Sequence, residues 1–422
     1  MASLNINPIR AIYDAATSLK GNARACVFLE PLFVIPHTLY TGFMTLYMLE
    51  LGVSLAQVGL ITSLGLVGHI FFALASPILT DKLGRRYSTL IFDFIGWGVP
   101  LVVWIVAQNI YFFIVAAFFN AFFRVVSTSW HCLMLEDSKP GTRVHIFNFL
   151  QLASITAGFF APIAALLVSR MTLVPAMRIM LIFALASKSI MFVLRHIYTT
   201  ETEIGQQKMQ ELKGISVWDS FSTYLPVLKR IAKDRVLIIF LFLRSLNFSQ
   251  LTVRQTFLAV LVTQRLGFPD ETVALFHFLN AIVMLLVLIL VTPILAQYTS
   301  RWPISIGIYF HITATGILLL MPPTHNMPLL IISAILIALG TAIATPRIDA
   351  LVANTIINEE RSVANAIMSV FLLLVTVPFA YLGGMLSEID VRLPFLMILV
   401  IFTVCLLILH VATIVERKKS NS

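Results

Sequence analysis

The chain is 422 residues long, 59% hydrophobic and only 12% charged. Soluble domains carry about 25% charged residues, so this composition excludes a water-facing surface of ordinary extent and puts most of the surface in lipid. The formal charge of +9 would suit a nucleic-acid binder by its size alone, but the placement of the basic residues excludes that reading.

In chain order, Asn7 to Lys20 carries Ile9, Ile12, Tyr13, Ala16 and Leu19 at helical spacing after Pro8. This segment is expected to lie along a membrane surface. Apolar stretches long enough to span a bilayer follow at about 25–50, 55–80, 87–107, 110–134, 144–168 and 173–195. A polar break from His196 to Arg235 comes next. Within it Ile215, Trp218, Phe221, Leu225 and Leu228 predict a short surface helix interrupted at Pro226. Six more stretches lie at about 236–263, 271–296, 303–322, 327–346, 362–386 and 393–415. The expectation is an all-α membrane protein with twelve transmembrane helices in two six-helix bundles. The predicted units are an N-terminal segment (1–24), a first bundle (25–195), a linker (196–235), a second bundle (236–415) and a tail (416–422). The first span, about 24 apolar residues long, suits a retained helix rather than a cleaved leader.

Most Lys and Arg residues fall in the N-terminus, in alternate loops and in the tail. They include Arg10, Lys20, Arg24, Lys82, Lys139, the run Lys229 to Arg235, and Arg417 to Lys419. The opposite loops hold only Arg170, Arg178, Arg265 and Arg392. The positive-inside rule places both termini in the cytoplasm and requires an even number of spans. Cys26, Cys132 and Cys405 are far apart in apolar stretches, which excludes a disulfide framework and a metal-ligand spacing.

The halves repeat one another. Ser76-Pro77-Ile78-Leu79 precedes Arg85 as Thr292-Pro293-Ile294-Leu295 precedes Arg301, and Leu51-Gly52 precedes Val58-Gly59-Leu60 as Leu266-Gly267 precedes Val273-Ala274-Leu275. Duplicated halves place a solute site near the midplane between them.

Between spans two and three the sequence reads Pro77-Ile-Leu-Thr-Asp81-Lys-Leu-Gly84-Arg85-Arg86. This resembles the cytoplasmic signature of the major facilitator superfamily, with Pro77 where the family usually has glycine. The second copy loses its acid at Gln297 and keeps Arg301. The resemblance implies the two-bundle fold, solute transport by alternating access, and a cytoplasmic gate. Its expected members are Asp81, Gly84, Arg85, Arg86, Glu136, Arg143, Arg301 and Arg361, with Asp137, Asp349, Glu359 and Glu360 nearby. The degenerate run Gly158-Phe-Phe-Ala-Pro162-Ile-Ala-Ala departs from the antiporter signature on span five.

Charges inside the spans carry the site prediction, because each central charge costs about 2.5–3.5 kcal/mol unless it is paired or wet. They are Glu30, Asp93, Arg124, Lys188, Arg244 and Arg254. With Asn247 and Gln250 on the polar span seven, they form the predicted substrate and coupling cavity. Glu30 and Arg124 differ in height by roughly 6–7 Å. They match the acid on the first helix and the arginine on the fourth that the family uses in proton coupling. A static ion pair is the rival reading for them. His69, His277 and His311 read as packing groups; Trp97, Trp104 and Trp130 could stack on a solute or anchor the interface.

Four intramembrane cations against two anions favour an anionic solute. The sequence thus predicts a proton-linked secondary transporter of a small organic solute in the plasma membrane, working as a monomer. A multidrug or metabolite efflux antiporter is the alternative, followed by a lipid flippase or a non-transporting sensor. An enzyme, a resident metal or cofactor, and a nucleic-acid partner are not expected, and no nucleotide-binding Gly-rich loop is present.

Overall fold

The computed structural model describes residues 17–213, 224–291, 302–353 and 361–420. All regular structure among them is helical. Lipid offers no hydrogen bonds to a backbone, so each crossing must satisfy its own N–H and C=O groups, and a helix does so. Eleven described helices are long and apolar enough to cross a membrane: Leu55–Leu83, Arg85–Ile105, Ile110–Leu135, Thr142–Met171, Leu173–Tyr198, Arg235–Arg265, Asp270–Val291, Trp302–Leu320, Met327–Val352, Ala364–Ile389 and Leu393–His410. A bent pair, Gly21–Thr41 with Met44–Glu50, completes the twelve; its parts meet at 46°. These are spans one to twelve in chain order, with the bent pair first.

Local chemistry fixes several ends. Ser54 and Gln57 form a reciprocal cap at the start of span two. The Asp234 carboxylate accepts from the Val236 and Leu237 N–H groups at the start of span seven. The linker holds a helix at Glu203–Glu211 and another at Tyr224–Lys233. The second runs through Pro226; the residues before Tyr224, on which the predicted interruption depends, lie outside the described residues. Residues 7–16 of the predicted surface helix, the repeat at Thr292 to Arg301, and Ile215, Trp218 and Phe221 lie outside the described residues, whereas Leu19 is buried in the first bundle.

The two bundles touch along two seams, span two against span eleven and span five against span eight. Close glycine contacts join them at the end opposite the basic loops, called here the far end, and Leu66 meets Leu372, Leu373 and Ala380 nearer the midplane. A methyl built on Gly59 would stand 2.6 Å from the Gly384 Cα, so these helices approach as only glycine permits. One carboxylate also crosses the seam, Glu388 Oε2 accepting from the Ala56 N–H at 2.9 Å. On the other seam Gly158 packs against Ala281. The main apolar core joins both bundles here, with Phe43, Tyr47 and Phe113 from one and Phe257, Phe268 and Val273 from the other.

Toward the basic end the apolar clusters belong to one bundle each. Leu19, Cys26, Val27 and Ile146 cluster in the first; Leu237, Phe240, Val352 and Met368 cluster in the second. Among the described residues the bundles thus pack together at the far end and, through Leu66, Leu372, Leu373 and Ala380, near the midplane.

The Gly59 contact can be tested by disulfide cross-linking of Ala56→Cys with Glu388→Cys, with the native cysteines replaced by serine. Adding Gly59→Val should reduce cross-linking several-fold by wedging the far end apart. Unchanged cross-linking would show that the glycine contact does not hold it closed.

Candidate functional site

The predicted gate is an ordered cluster within the first bundle. Gly84 turns the chain between spans two and three at φ +80, and a side chain there would meet Glu201 Oε2 at 2.6 Å. Arg85, 3% exposed, reaches Asp81 at 2.8 Å and Glu136 at 3.1 Å. Glu136 also accepts from the Thr202 hydroxyl at 2.5 Å. Glu201 caps span three, its two oxygens accepting from the Arg85 and Arg86 N–H groups at 2.9 Å each. The Arg86 side chain donates to the His196 carbonyl.

Glu201 and Thr202 were not singled out by the sequence, although Thr202 three residues before Gly205 reads as a helix cap. Burial, and then the Glu136 carboxylate beside it, push Asp137 above the usual carboxylate range. Arg143 does not join the cluster: it is exposed and donates to the Leu135 carbonyl, because the Arg85 fork already occupies Glu136. Arg301, Glu359, Glu360 and the side chain of Arg361 lie outside the described residues.

Of the charges inside the first bundle, Asp93 is not in a cavity. It is 1% exposed and forms an ion pair with Arg195 of span six. Lys188 is fully buried but has no carboxylate contact. Its ammonium stands 4.0 Å from the Phe33 ring centroid and 4.4 Å from that of Trp97. It donates to the Tyr40 hydroxyl at 3.2 Å, and His37 Nδ1 lies at 3.4 Å. Phe33, His37 and Tyr40 share one face of span one at i, i+4 and i+7; a π-helical turn, Phe94–Gly98, carries Trp97 to them. That spacing was the legible signal for this cage.

Glu30 is half-buried at the helix break before Pro31, and the cations that act on it are Lys188 and Arg195. The expected pairing with Arg124 is thus corrected: span six lies nearer and supplies both cations.

The polar face of span seven is also placed differently from the expectation. Arg254 is 3% exposed and donates to His311 Nδ1 at 2.9 Å, and that ring stacks on Phe402. Asn247 donates to Thr345, and Gln250 donates to Asn247. Arg244 pairs with Asp349 at 2.7 Å. Asn247, Gln250 and Arg254 are therefore buried in the second bundle, Arg244 and Asp349 form a partly exposed pair, and none of the four span-seven residues lines the cavity described next.

Arg124 alone of the eight predicted residues lines that cavity. It measures about 470 Å³ and lies between spans two, four and eleven; Ser76, Thr128, His131 and Asn365 share the wall. No carboxylate is among its described lining residues. The Arg124 Nε is buried without a hydrogen bond, and its guanidinium rests 5.1 Å from the Phe123 ring centroid. A guanidinium in that state can take a carboxylate or phosphate in its planar fork. Among the described residues no group of His, Cys, Asp and Glu could hold a metal ion.

Two six-span bundles that pack together at one end and share polar cavities along their seams define a membrane carrier. The chain belongs to the major facilitator superfamily, whose profile matches residues 32–346 and 311–422. Solved structures of similar fold include the nucleoside transporter NupG (14% identity, 93% of this chain and 98% of that one, TM-score 0.67). A POT family transporter in complex with a thioalcohol-conjugated peptide is similar over 96% of this chain and 99% of that one (12% identity, TM-score 0.70). A bacterial homologue of the iron transporter ferroportin in an inward-facing state is similar over 95% and 98% (13% identity, TM-score 0.66). No curated protein matches the sequence. The protein is a solute transporter of this family.

The buried Asp93–Arg195 pair yields a stability test. Asp93→Asn leaves a buried guanidinium without its countercharge and should cost about 3–5 kcal/mol. Thermal unfolding in detergent should show a large drop that Arg195→Gln in the same chain partly restores. An unchanged midpoint would mean that the pair is not a structural one.

Proposed function

We propose that this protein carries a small organic anion by alternating access, coupled to protons, as a monomer whose basic end faces the cytoplasm. The observation that carries the reading is the Arg124 cavity: a cation with an unused donor, neighbouring hydroxyls and an amide, and no acid on the described wall. An anion entering it gains a charge-assisted hydrogen bond, whereas a cation meets a like charge with no compensating group. The concentration of Lys and Arg in the loops at one end supports the orientation. Glu30 supports the proton coupling. It is a half-buried carboxylate with no hydrogen bond or ion pair among the described residues, set in the field of Lys188 and Arg195. The close glycine contact of Gly59 with Gly384 at the far end supports a state open to the cytoplasm.

Flux into proteoliposomes, measured with and without a pH gradient for a panel of small carboxylates, phosphates and cations, tests this. Anions should be carried in preference to cations, and Arg124→Gln should lower anion flux at least tenfold. Glu30→Gln should abolish the response to the gradient while leaving exchange at equal pH. Equal flux of cations and anions, unaffected by Arg124→Gln, would sink the anion reading; a gradient response that persists in Glu30→Gln would sink the coupling role.

A further inference from the structure

A second polar cavity of about 370 Å³ lies on the other seam, between spans one, five and eight. Thr38, Gln151, Ser154, His277 and Asn280 supply its polar wall. Gln151 and Asn280 are exposed, and neither side-chain amide has a hydrogen-bond partner among the described residues.

Their depth makes this informative. Gln151 is nine residues from the Thr142 end of its span and Asn280 ten from the Asp270 end of its own, or about 14 and 15 Å at 1.5 Å per residue. Both therefore lie near the middle of a hydrocarbon layer about 30 Å thick. Arg124, eleven residues from Leu135, sits about 16 Å deep on the opposite seam. Free amides at that depth are costly against lipid and acceptable against water or a polar ligand.

The floor of this cavity toward the far end is the bundle contact itself. Gly158 abuts Ala281 there, and the His277 ring rests on the backbone at Gly42, where span one bends. A group bound by Gln151 and Asn280 would touch both bundles beside the closed gate.

We infer that this cavity is a second solute subsite, which hydrogen-bonds the uncharged polar part of a ligand whose anionic group is held by Arg124. The two primary amides offer donors and acceptors together, so they suit hydroxyl or amide groups and carry no charge of their own. This deepens the anion reading and rests on it. The substrate class becomes a carboxylate or phosphate bearing a hydroxylated or amide-containing arm, rather than a plain alkyl acid. An alkyl acid would leave both amides without partners, and each hydrogen bond forgone lowers affinity by about tenfold.

Binding to the purified full-length protein is measured with gluconate, N-acetylglutamine, hexanoate and sorbitol. Gluconate or N-acetylglutamine should bind at least tenfold more tightly than hexanoate. Gln151→Leu with Asn280→Leu should reduce that preference below about threefold and leave hexanoate binding unchanged. Arg124→Gln should weaken all three anions alike. The subsite is overturned if hexanoate binds as tightly as both polar anions, if neither polar anion binds, or if the double variant keeps the preference. Sorbitol binding as tightly as gluconate, lost in the double variant and indifferent to Arg124→Gln, would overturn the anion reading and leave the subsite standing.

Discussion

The hydrocarbon layer supplies no hydrogen bonds and solvates no charge, and the rest of the molecule follows from that constraint. Every backbone group is satisfied inside a helix, and polar side chains either find partners across helices or face water. The structure uses both solutions and separates them in space. Within the bundles, several charged groups are taken up by their neighbours: Asp93 by Arg195, Arg244 by Asp349, Arg254 by His311. Between the bundles, Arg124, Gln151 and Asn280 are not so consumed. What remains unsatisfied at the seams marks where something else must come.

The same economy explains how the two bundles can be both rigid and separable. The Asp93–Arg195 and Arg254–His311 contacts within the bundles are polar and buried, so breaking them strands unpaired charge. Contacts across the far end are mainly apolar and glycine-mediated, as at Gly59 and Gly384, with the single Glu388 bond on the seam. Such surfaces can part without stranding a buried ion. The basic-end cluster around Arg85, Glu136 and Glu201 stays within one bundle. It ties span two, span four and the start of the linker into one body. Among the described residues its bonds stiffen the first bundle.

Most of the architecture was legible in the sequence because length and hydropathy are one-dimensional signals. The twelve predicted spans coincide with the observed ones to within a few residues at most ends, and the bend in span one fell inside a correctly placed stretch. The site was legible only in part, because the charges were visible and their rotational positions were not. Arg254 and Arg124 look alike in sequence, yet one is sealed against His311 while the other faces an open cavity. Gln151 and Asn280 passed unnoticed since they bear no charge. The role of Glu201 was hidden because it depends on a turn at Gly84 more than a hundred residues earlier.

Lys188 and Glu30 show how the first bundle can keep one acid chemically free. An ammonium buried in hydrocarbon would ordinarily demand a carboxylate within contact distance. Here the faces of Phe33 and Trp97 and the oxygen of Tyr40 take up much of that demand. Desolvated cation–π contacts are each worth about 2 kcal/mol, comparable to a good hydrogen bond to a charged group. Asp93 meanwhile takes the charge of Arg195 through direct contact. Glu30 is therefore left near both cations and bonded to neither. A carboxylate locked in a fork cannot change its charge without breaking structure, whereas one held only by a field can gain or lose a proton while the helices around it stay packed. On the proposed function, that difference in bonding separates the structural acid of this bundle, Asp93, from Glu30 as the coupling acid.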